Sequence, residues 1–277
     1  MNKSDYQKQQ QQIISELQVA SAFDAQQEIE RRVSFLCEYL IANRMQSYVL
    51  GISGGVDSSV AGRLAQLAVE RARSKGHQAK FIAMRLPYGV QRDEEDAQKA
   101  LKFIRPDMTL TVDIKPAADG MLKALQQGQL QFRDEGQEDF ILGNIKARQR
   151  MIAQYAVAGT HAGLVIGTDH AAEALMGFFT KFGDGACDLT PLTGLNKRRV
   201  RAVAEALGAE ADVVHKIPTA DLENLKPLRP DEDAYGVTYH EIDDFLEGKE
   251  VSEHAYETIL RFYTNSHHKR ALPVHPA

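Results

Sequence analysis

The stretch Gly51–Ser58, with the sequence GISGGVDS, has the residue types and spacing of a phosphate-binding loop. It follows an apolar segment and precedes an amphipathic one, so the order predicts a strand, a glycine turn and a helix. Gly54 and Gly55 allow the backbone to approach an anion closely because no Cβ intervenes. The hydroxyl groups of Ser53 and Ser58 and the free N–H groups of the following helix add donors. The stretch therefore predicts a site for phosphate groups.

Asp57 separates this loop from a Walker A loop, which requires a lysine that is absent here. A carboxylate beside phosphates needs a cation between them, and Mg²⁺ is the usual one. Asp57 is therefore predicted to bind Mg²⁺. An ordinary strand-to-helix turn of small residues is the alternative, and the complete string in this context favours the phosphate site.

A second acidic residue of interest, Glu173, lies in the stretch Thr168–Glu173, which is predicted to open a helix after a strand. Asp169 suits an N-cap, and Glu173 lies on the side of His170 by the i, i+3 relation. A surface carboxylate is the alternative for Glu173. Because the preceding strand should lie near the strand before the glycine loop, Glu173 is predicted to join Asp57 around one Mg²⁺. His170 is predicted to be a structural hydrogen-bonding residue.

Arg148 shares a helical stripe with Ile141, Ile145, Ile152 and Tyr155 and is therefore predicted to face the core. A buried arginine needs a partner. An internal ion pair and the carboxylate or phosphate of a ligand are equally good alternatives for it.

Two basic clusters also suggest anions. Asn196–Arg199 begins a predicted helix, where basic residues in the first turn are disfavoured unless an anion compensates them. His267–Arg270 follows a predicted helix, either as a solvated tail or as a segment that folds over an active site.

Composition places the chain among soluble globular proteins, with 277 residues, 43% hydrophobic and 26% charged. A single domain over residues 1–277 is predicted. The net charge of −5 argues against a general nucleic-acid-binding protein. No apolar run approaches the roughly 20 residues that span a membrane, and the polar start of the chain predicts a cytoplasmic protein. Cys37 and Cys187 form no disulfide framework, and neither is predicted to be a catalytic nucleophile.

The elements that must position these residues are strands alternating with helices. Strands are predicted at 47–52, 81–84, 110–114 and 164–167. Helices are predicted twice within 4–45, the second beginning at Asp24, and then at 58–75, from Asp93, at 138–160, 239–247 and 252–264. Loops are predicted at 177–195 and 217–236. This alternation predicts an α/β fold with a Rossmann-like parallel sheet and helices on both faces. Ligands should bind beyond the carboxyl ends of the strands, and 86–92 and 222–235 are expected to become ordered over them.

Taken together, six strings resemble those of ammonia-dependent NAD synthetases, within the ATP pyrophosphatases of the adenine nucleotide alpha hydrolase-like fold. They are Gly51–Ser58, Asn144–Arg148, Gly167–Glu173, Lys181–Gly185, Pro218–Leu222 and His267–Arg270. One departure is Val56, where many members carry Gln.

The resemblance implies a role for each matching residue. ATP would contact Gly51, Ile52, Ser53, Gly54, Gly55, Val56, Asp57, Ser58, Thr168, Lys197 and Thr219. Mg²⁺ would be bound by Asp57 and Glu173. Deamido-NAD would contact Arg148, Lys181, Asp188, His268 and Lys269. Asp57, Lys197 and Asp188 are the candidate catalytic residues, Asp188 as a group that positions ammonia or accepts a proton.

The implied reaction uses ATP, deamido-NAD and ammonia. Adenylation of the nicotinate carboxylate releases pyrophosphate, and ammonia then gives NAD and AMP. The resemblance also implies a homodimer, with no nucleic-acid or membrane partner, and ammonia rather than glutamine as nitrogen source. The alternatives are another ATP pyrophosphatase that amidates or thiolates a different nucleotide or a tRNA, and a nucleotide sensor without catalytic activity.

Overall fold

A four-stranded parallel sheet forms the centre of the molecule in the computed structural model, which describes residues 3–89, 94–220, 222–225 and 229–276. The strands are β1 (Ser47–Gly51), β2 (Lys80–Arg85), β3 (Met108–Thr111) and β4 (Gly163–Val165). Their spatial order is β3-β2-β1-β4, and all neighbours are parallel. The predicted α/β parallel sheet is confirmed, as is the position of the fourth strand beside the first.

Thirteen helices and a short antiparallel ribbon complete the described part of the chain. The helices are α1 (Lys3–Glu16), α2 (Ala25–Ala42), α3 (Val56–Ser74), α4 (Glu94–Ile104), α5 (Lys115–Gln127), α6 (Glu135–Thr160), α7 (Ala171–Met176), α8 (Lys197–Ala206), α9 (Ala211–Val214), α10 (Asp231–Tyr235), α11 (Tyr239–Leu246), α12 (Glu253–Asn265) and α13 (His267–Arg270). The ribbon pairs β5 (Thr219–Ala220) with β6 (Arg229–Pro230).

Helices cover both faces of the sheet, as predicted. Tyr48 and Phe81 face a cluster formed with α2, α3 and α8. Val49 and Ile82 face the opposite cluster, to which α6 contributes Ala158. Burial on both faces explains why the strands are almost continuously apolar instead of alternating.

A further apolar cluster joins α1 and α7 to α10, α11 and α12. Leu175 of α7 is fully buried there, together with Phe245 of α11 and Ile259 of α12. Because α7 follows β4 and α11 also contacts α8, this cluster brings the last helices of the chain to the carboxyl edge of the sheet. The prediction of a single domain over 1–277 stays a prediction.

Local predictions mostly agree with the structure. Asp24 caps α2 by accepting a hydrogen bond from Gln27 N at 2.8 Å. The third strand was predicted two to three residues too late, and α5 was missed, because Pro116 was interpreted as the end of a strand. Proline is favoured in the first turn of a helix, where its missing N–H has no partner to lose.

Two predicted loops can now be compared with the structure. Residues 177–195 form turns and irregular structure, apart from a bridge between Ile166 and Leu189. The segment 217–236 is not simply a loop, since β5, β6 and α10 lie within it. The predicted helix start at Asp93 and residues 90–92 of the first predicted mobile stretch lie outside the described residues. None of the described helices is long and apolar enough to cross a membrane.

Candidate active site

A cavity of about 440 Å³ opens beyond the carboxyl ends of β1, β2 and β4. Its walls come from the glycine loop, the start of α7, one face of α6, and the segment that carries β5. Most of the residues predicted to bind ligands line it: Gly51, Ile52, Ser53, Gly55, Val56, Asp57, Ser58, Thr168, Glu173, Lys197, Thr219 and Lys269. The structure thus brings together residues that are up to 218 positions apart, from Gly51 to Lys269.

The glycine loop leads directly from β1 into α3. Gly55 is the N-cap of α3, and no side chain caps this helix end. Gly54 does not line the cavity, but it has a positive φ of 86°, and a Cβ there would lie 2.8 Å from Ala97 N. Gly54 is therefore needed for packing the loop against α4, while the uncapped N–H groups of α3 provide the positive helix end of an anion site.

A buried ion pair stands at this helix end. Lys197 Nζ donates to Asp57 Oδ2 at 2.7 Å, and the Lys197 side chain is only 1% exposed. Burial raises the pKa of Asp57, but the charges of Lys197 and His170 and their close contacts together outweigh that effect, so the pKa lies well below its ordinary value. Burial lowers the pKa of Lys197, while Asp57 and Glu173 raise it above the ordinary value. Both groups are therefore charged at neutral pH.

Ligand atoms of Asp57, His170 and Glu173 all lie within 4.8 Å of one another. His170 Nδ1 accepts a hydrogen bond from Glu173 N at 3.3 Å, and its Nε2 lies 3.3 Å from Asp57 Oδ1. In the neutral ring this leaves the hydrogen on Nε2, and the imidazolium also carries one there. The Nε2–H of His170 thus lies at charge-contact distance from both carboxylates, while its Nδ1 caps the start of α7, in agreement with its predicted structural role.

The remaining two residues of this group, Asp57 and Glu173, fit a magnesium ion. Asp57 Oδ1 is buried and receives no hydrogen bond from any described residue. Burial raises the pKa of Glu173 to about 8, so its charged form needs a nearby cation. Two carboxylates next to a phosphate site are the donor set that Mg²⁺ prefers.

The basic first turn of α8 is compensated by carboxylates of the protein itself. Asn196 caps the helix, and Asp243 of α11 accepts hydrogen bonds from Lys197 N at 2.9 Å and Arg198 N at 2.8 Å. Arg198 is further paired with Glu247 at 2.6 Å. The anion that this helix start was expected to need is thus already present in the fold.

Several residues of the cavity wall were not predicted. Gln154 Oε1 accepts a hydrogen bond from Gly51 N at 2.7 Å, and Arg150 Nε donates to Leu86 O at 3.1 Å. Arg85 ends β2, donates to Ile52 O and pairs with Glu94 at 2.8 Å. Arg85 carried a usable signal, since a charged residue directly after a buried strand lies at the carboxyl edge of the sheet.

The prediction that Arg148 faces the core is wrong. Its side chain is exposed and donates to Lys181 O at 3.2 Å. Ile152 and Tyr155 on the same stripe are 52% and 36% exposed. The buried side of α6 is centred instead on Leu142 and Lys146. Each follows a residue of the predicted stripe by one position, which is a rotation of about 100° around the helix.

Other residues predicted to contact the dinucleotide lie around the cavity mouth or away from it. Lys269 lines the cavity and donates to Gly177 O and Phe179 O, both at 2.9 Å. Lys181 donates to His268 O and to Ala271 O, and the His268 side chain is exposed. The basic cluster is therefore folded against the loop at 177–181.

Asp188, the third candidate catalytic residue, has a different setting. Its Oδ2 accepts a hydrogen bond from Val165 N at 2.7 Å, and Asp188 does not line the cavity. This contact extends the edge of β4, which is a structural role. The predicted role of Asp188 in handling ammonia stays a prediction.

The sheet, the glycine loop and the buried Asp57–Lys197 pair at its carboxyl edge define a nucleotide-binding α/β enzyme. The sequence matches the NAD synthase family over residues 28–273, and the chain belongs to that family.

Close relatives cover almost the whole chain. The NH(3)-dependent NAD(+) synthetase of Burkholderia cenocepacia is 67% identical over 273 residues, 99% of this chain and 97% of that protein. That of Streptomyces coelicolor is 67% identical over 267 residues, covering 96% and 97%.

Solved structures agree with the fold. The NAD+ synthetase of Burkholderia pseudomallei is similar with a TM-score of 0.84 at 60% identity, covering 97% of this chain and 98% of that one. The NMN synthetase of Francisella tularensis has a TM-score of 0.80 at 36% identity, covering 92% and 99%.

Proposed function

We propose that this protein is a ligase that converts deamido-NAD to NAD with ATP and ammonia and releases AMP and pyrophosphate. The observation that carries the proposal is the charged Asp57–Lys197 pair beside Glu173, at the uncapped start of α3, in a chain of the NAD synthase family. These groups suit a reaction whose main requirement is to neutralise and position phosphates.

In the first step, an oxygen of the nicotinate carboxylate attacks the α-phosphorus of ATP. The bond from this phosphorus to the bridging oxygen breaks, and pyrophosphate leaves with the electron pair. The N–H groups of α3 and the ammonium of Lys197 lie where they can stabilise the negative charge on the phosphates. No nucleophilic side chain is needed, since the carboxylate of the substrate is itself the nucleophile.

Asp57 and Glu173 would hold Mg²⁺, which supplies charge neutralisation at the phosphates when it is bound. Their proximity, the hydrogen-bond-free Asp57 Oδ1 and the raised pKa of Glu173 support this assignment. Lys197 holds the other oxygen of Asp57 and so fixes the direction in which this carboxylate points. Thr168 and Thr219, which line the same cavity, are proposed to contact ATP.

In the second step, the nitrogen of ammonia attacks the acyl carbon of the adenylate. The bond from this carbon to the AMP oxygen breaks, AMP leaves with the electron pair, and the nitrogen loses one proton to water to give the amide. Only neutral ammonia has the free electron pair that this attack requires.

We also propose a homodimer in which α6 forms part of the contact. Phe140 and Ile152 of α6 are 57% and 52% exposed, and Met121 of α5 is 46% exposed. Exposed apolar side chains on neighbouring helices are typical of a protein interface. Arg148, Lys181 and His268 are proposed to contact the part of deamido-NAD that extends beyond the cavity. A cytoplasmic location is likewise proposed.

ATP–pyrophosphate exchange in the absence of ammonia tests the proposed function. Exchange should depend on both Mg²⁺ and deamido-NAD, and Glu173→Gln should abolish it while the matched change Glu138→Gln should not. Exchange in the absence of any acyl acceptor would refute the proposal. Absence of exchange with every acceptor tried would refute it as well. Because of the similarity to an NMN synthetase, nicotinate mononucleotide should be compared directly, and preferential use of it would favour a mononucleotide substrate.

A further inference from the structure

Three residues on one face of α6 contact a four-residue segment of the cavity wall. They are Asp139, Gly143 and Lys146, and we call them the α6 clamp. Their spacing of four and three residues places them in one line along the helix. The segment that they contact is Leu222–Leu225, of which Leu222 and Glu223 line the cavity.

The clamp binds mainly the backbone of this segment. Asp139 accepts hydrogen bonds from Asn224 N through Oδ1 and from Leu225 N through Oδ2, both at 2.8 Å. Lys146 Nζ donates to Leu222 O at 2.8 Å and to Asn224 Oδ1 at 2.7 Å. The Asp139 carboxylate thus accepts from the N–H groups of Asn224 and Leu225. The Lys146 ammonium donates to the carbonyl oxygen of Leu222, two residues before Asn224.

Gly143 lets the two chains approach. A Cβ at position 143 would lie 3.2 Å from Leu222 Cβ and 3.3 Å from Leu222 O. Such contacts are tighter than ordinary van der Waals contact, so a side chain here would push the segment away from the helix. The glycine lies between the two charged residues, where the backbone comes nearest.

The charged members of the clamp are unusually buried. Asp139 is 7% exposed and Lys146 is 3% exposed, and Lys146 Nζ also lies 4.1 Å from the ring centroid of Tyr88. Buried charges are costly unless they are hydrogen-bonded. Here the required partners come from Leu222–Leu225, and no described backbone–backbone hydrogen bond holds this segment.

We propose that Asp139, Gly143 and Lys146 are positioning residues that set the place of Leu222–Leu225 as a wall of the nucleotide cavity. That the cavity takes nucleotides rests on the proposed function, whereas the clamp itself is defined by its contacts. The clamp controls how well substrates are retained and leaves the reacting groups around Asp57 unchanged. Charge-assisted hydrogen bonds suit this task. When the segment leaves the helix, water can hydrate both the charged side chains of the clamp and the polar groups of the segment.

Amide hydrogen exchange at Asn224 and Leu225 tests the clamp, because these two N–H groups are the donors to Asp139. Variants Asp139→Ala, Lys146→Met and Gly143→Ala should be compared with Glu138→Ala, which removes the neighbouring carboxylate that faces Gln126 instead. The clamp variants should exchange at Asn224 and Leu225 about tenfold faster or more, and Glu138→Ala should exchange like the wild type.

Steady-state kinetics provide the second measurement. In Lys146→Met, KM for ATP or deamido-NAD should rise by about tenfold, with kcat changing much less, since only the wall is displaced. Wild-type exchange at both amides in Asp139→Ala and Lys146→Met would overturn the proposal, as would a loss confined to kcat. If Asp139→Ala does not fold, the other two variants decide. Faster exchange in an enzyme that makes no NAD would leave the clamp standing and refute the proposed function.

Discussion

Replacing Asp57 by Asn should weaken both the fold and the first reaction step, for two separable reasons. The ammonium of Lys197 is buried, and Asp57 Oδ2 is the carboxylate oxygen that it contacts, at 2.7 Å. Breaking a buried ion pair costs about 3–5 kcal/mol when one charge is left without a partner. Asn keeps one oxygen as an acceptor, so the loss should be nearer the ~1.5–3 kcal/mol of a charged hydrogen bond. For a chain of this size that corresponds to a fall in Tm of roughly 3–5 °C.

The double variant Asp57→Asn/Lys197→Met separates stability from catalysis. Removing both charges should recover much of the lost free energy of unfolding, because no buried ammonium remains unpaired. Pyrophosphate release that depends on deamido-NAD should stay roughly 10²- to 10³-fold below the wild type in the single and the double variant. Thermal unfolding without ligands and pyrophosphate release measure the two effects. Wild-type stability in Asp57→Asn, or wild-type release, would refute the respective half of this reasoning.

The remaining predictions concern the substrates. Arg148→Ala should raise KM for deamido-NAD by roughly ten- to a hundredfold and leave ATP binding and Tm nearly unchanged, because the side chain is exposed; equal effects on both substrates would argue against a contact with the dinucleotide. Burial raises the pKa of Cys187 to about 12, so the neutral thiol dominates at every pH below that value; Cys187→Ser should keep full activity, and pure protein should use ammonia well and glutamine poorly. At fixed total ammonium, NAD formation should increase as pH rises through the neutral range, because the neutral fraction of ammonia grows; a flat profile under limiting ammonia would contradict this. ATP and deamido-NAD together should slow amide exchange at 86–89 and 222–225, and equal exchange with and without them would exclude closure of these segments.

The parts of the site that depend on local sequence could be predicted well. The glycine loop lies between a strand and a helix, so its position at the carboxyl edge of the sheet follows from chain order alone. Glu173 could be placed near Asp57 because parallel strands align their carboxyl ends. The structure confirms that the two residues are close.

The parts that depend on which side of a long helix is covered could not be predicted. The apolar residues on the stripe through Arg148 predicted that this stripe is the buried side of α6, yet Ile152 is 52% exposed. An exposed apolar stripe has the same spacing in the sequence as one that packs against the core. Lys146 was missed for the converse reason, since a buried lysine is recognised only when the distant segment that accepts its hydrogen bonds is known.

The helix ends of this protein differ in whether an acceptor is already attached to the chain. Side chains occupy the first turns of α2, α6, α8, α11 and α12: Asp24, Asp134, Asn196, Thr238 and Ser252. At α8, Asp243 takes two further N–H groups. A free phosphate at any of these ends would compete with a tethered acceptor at high effective concentration. The start of α3 at Gly55 has no such competitor and lines the cavity, so a phosphate can bind there without displacing a side chain of the protein.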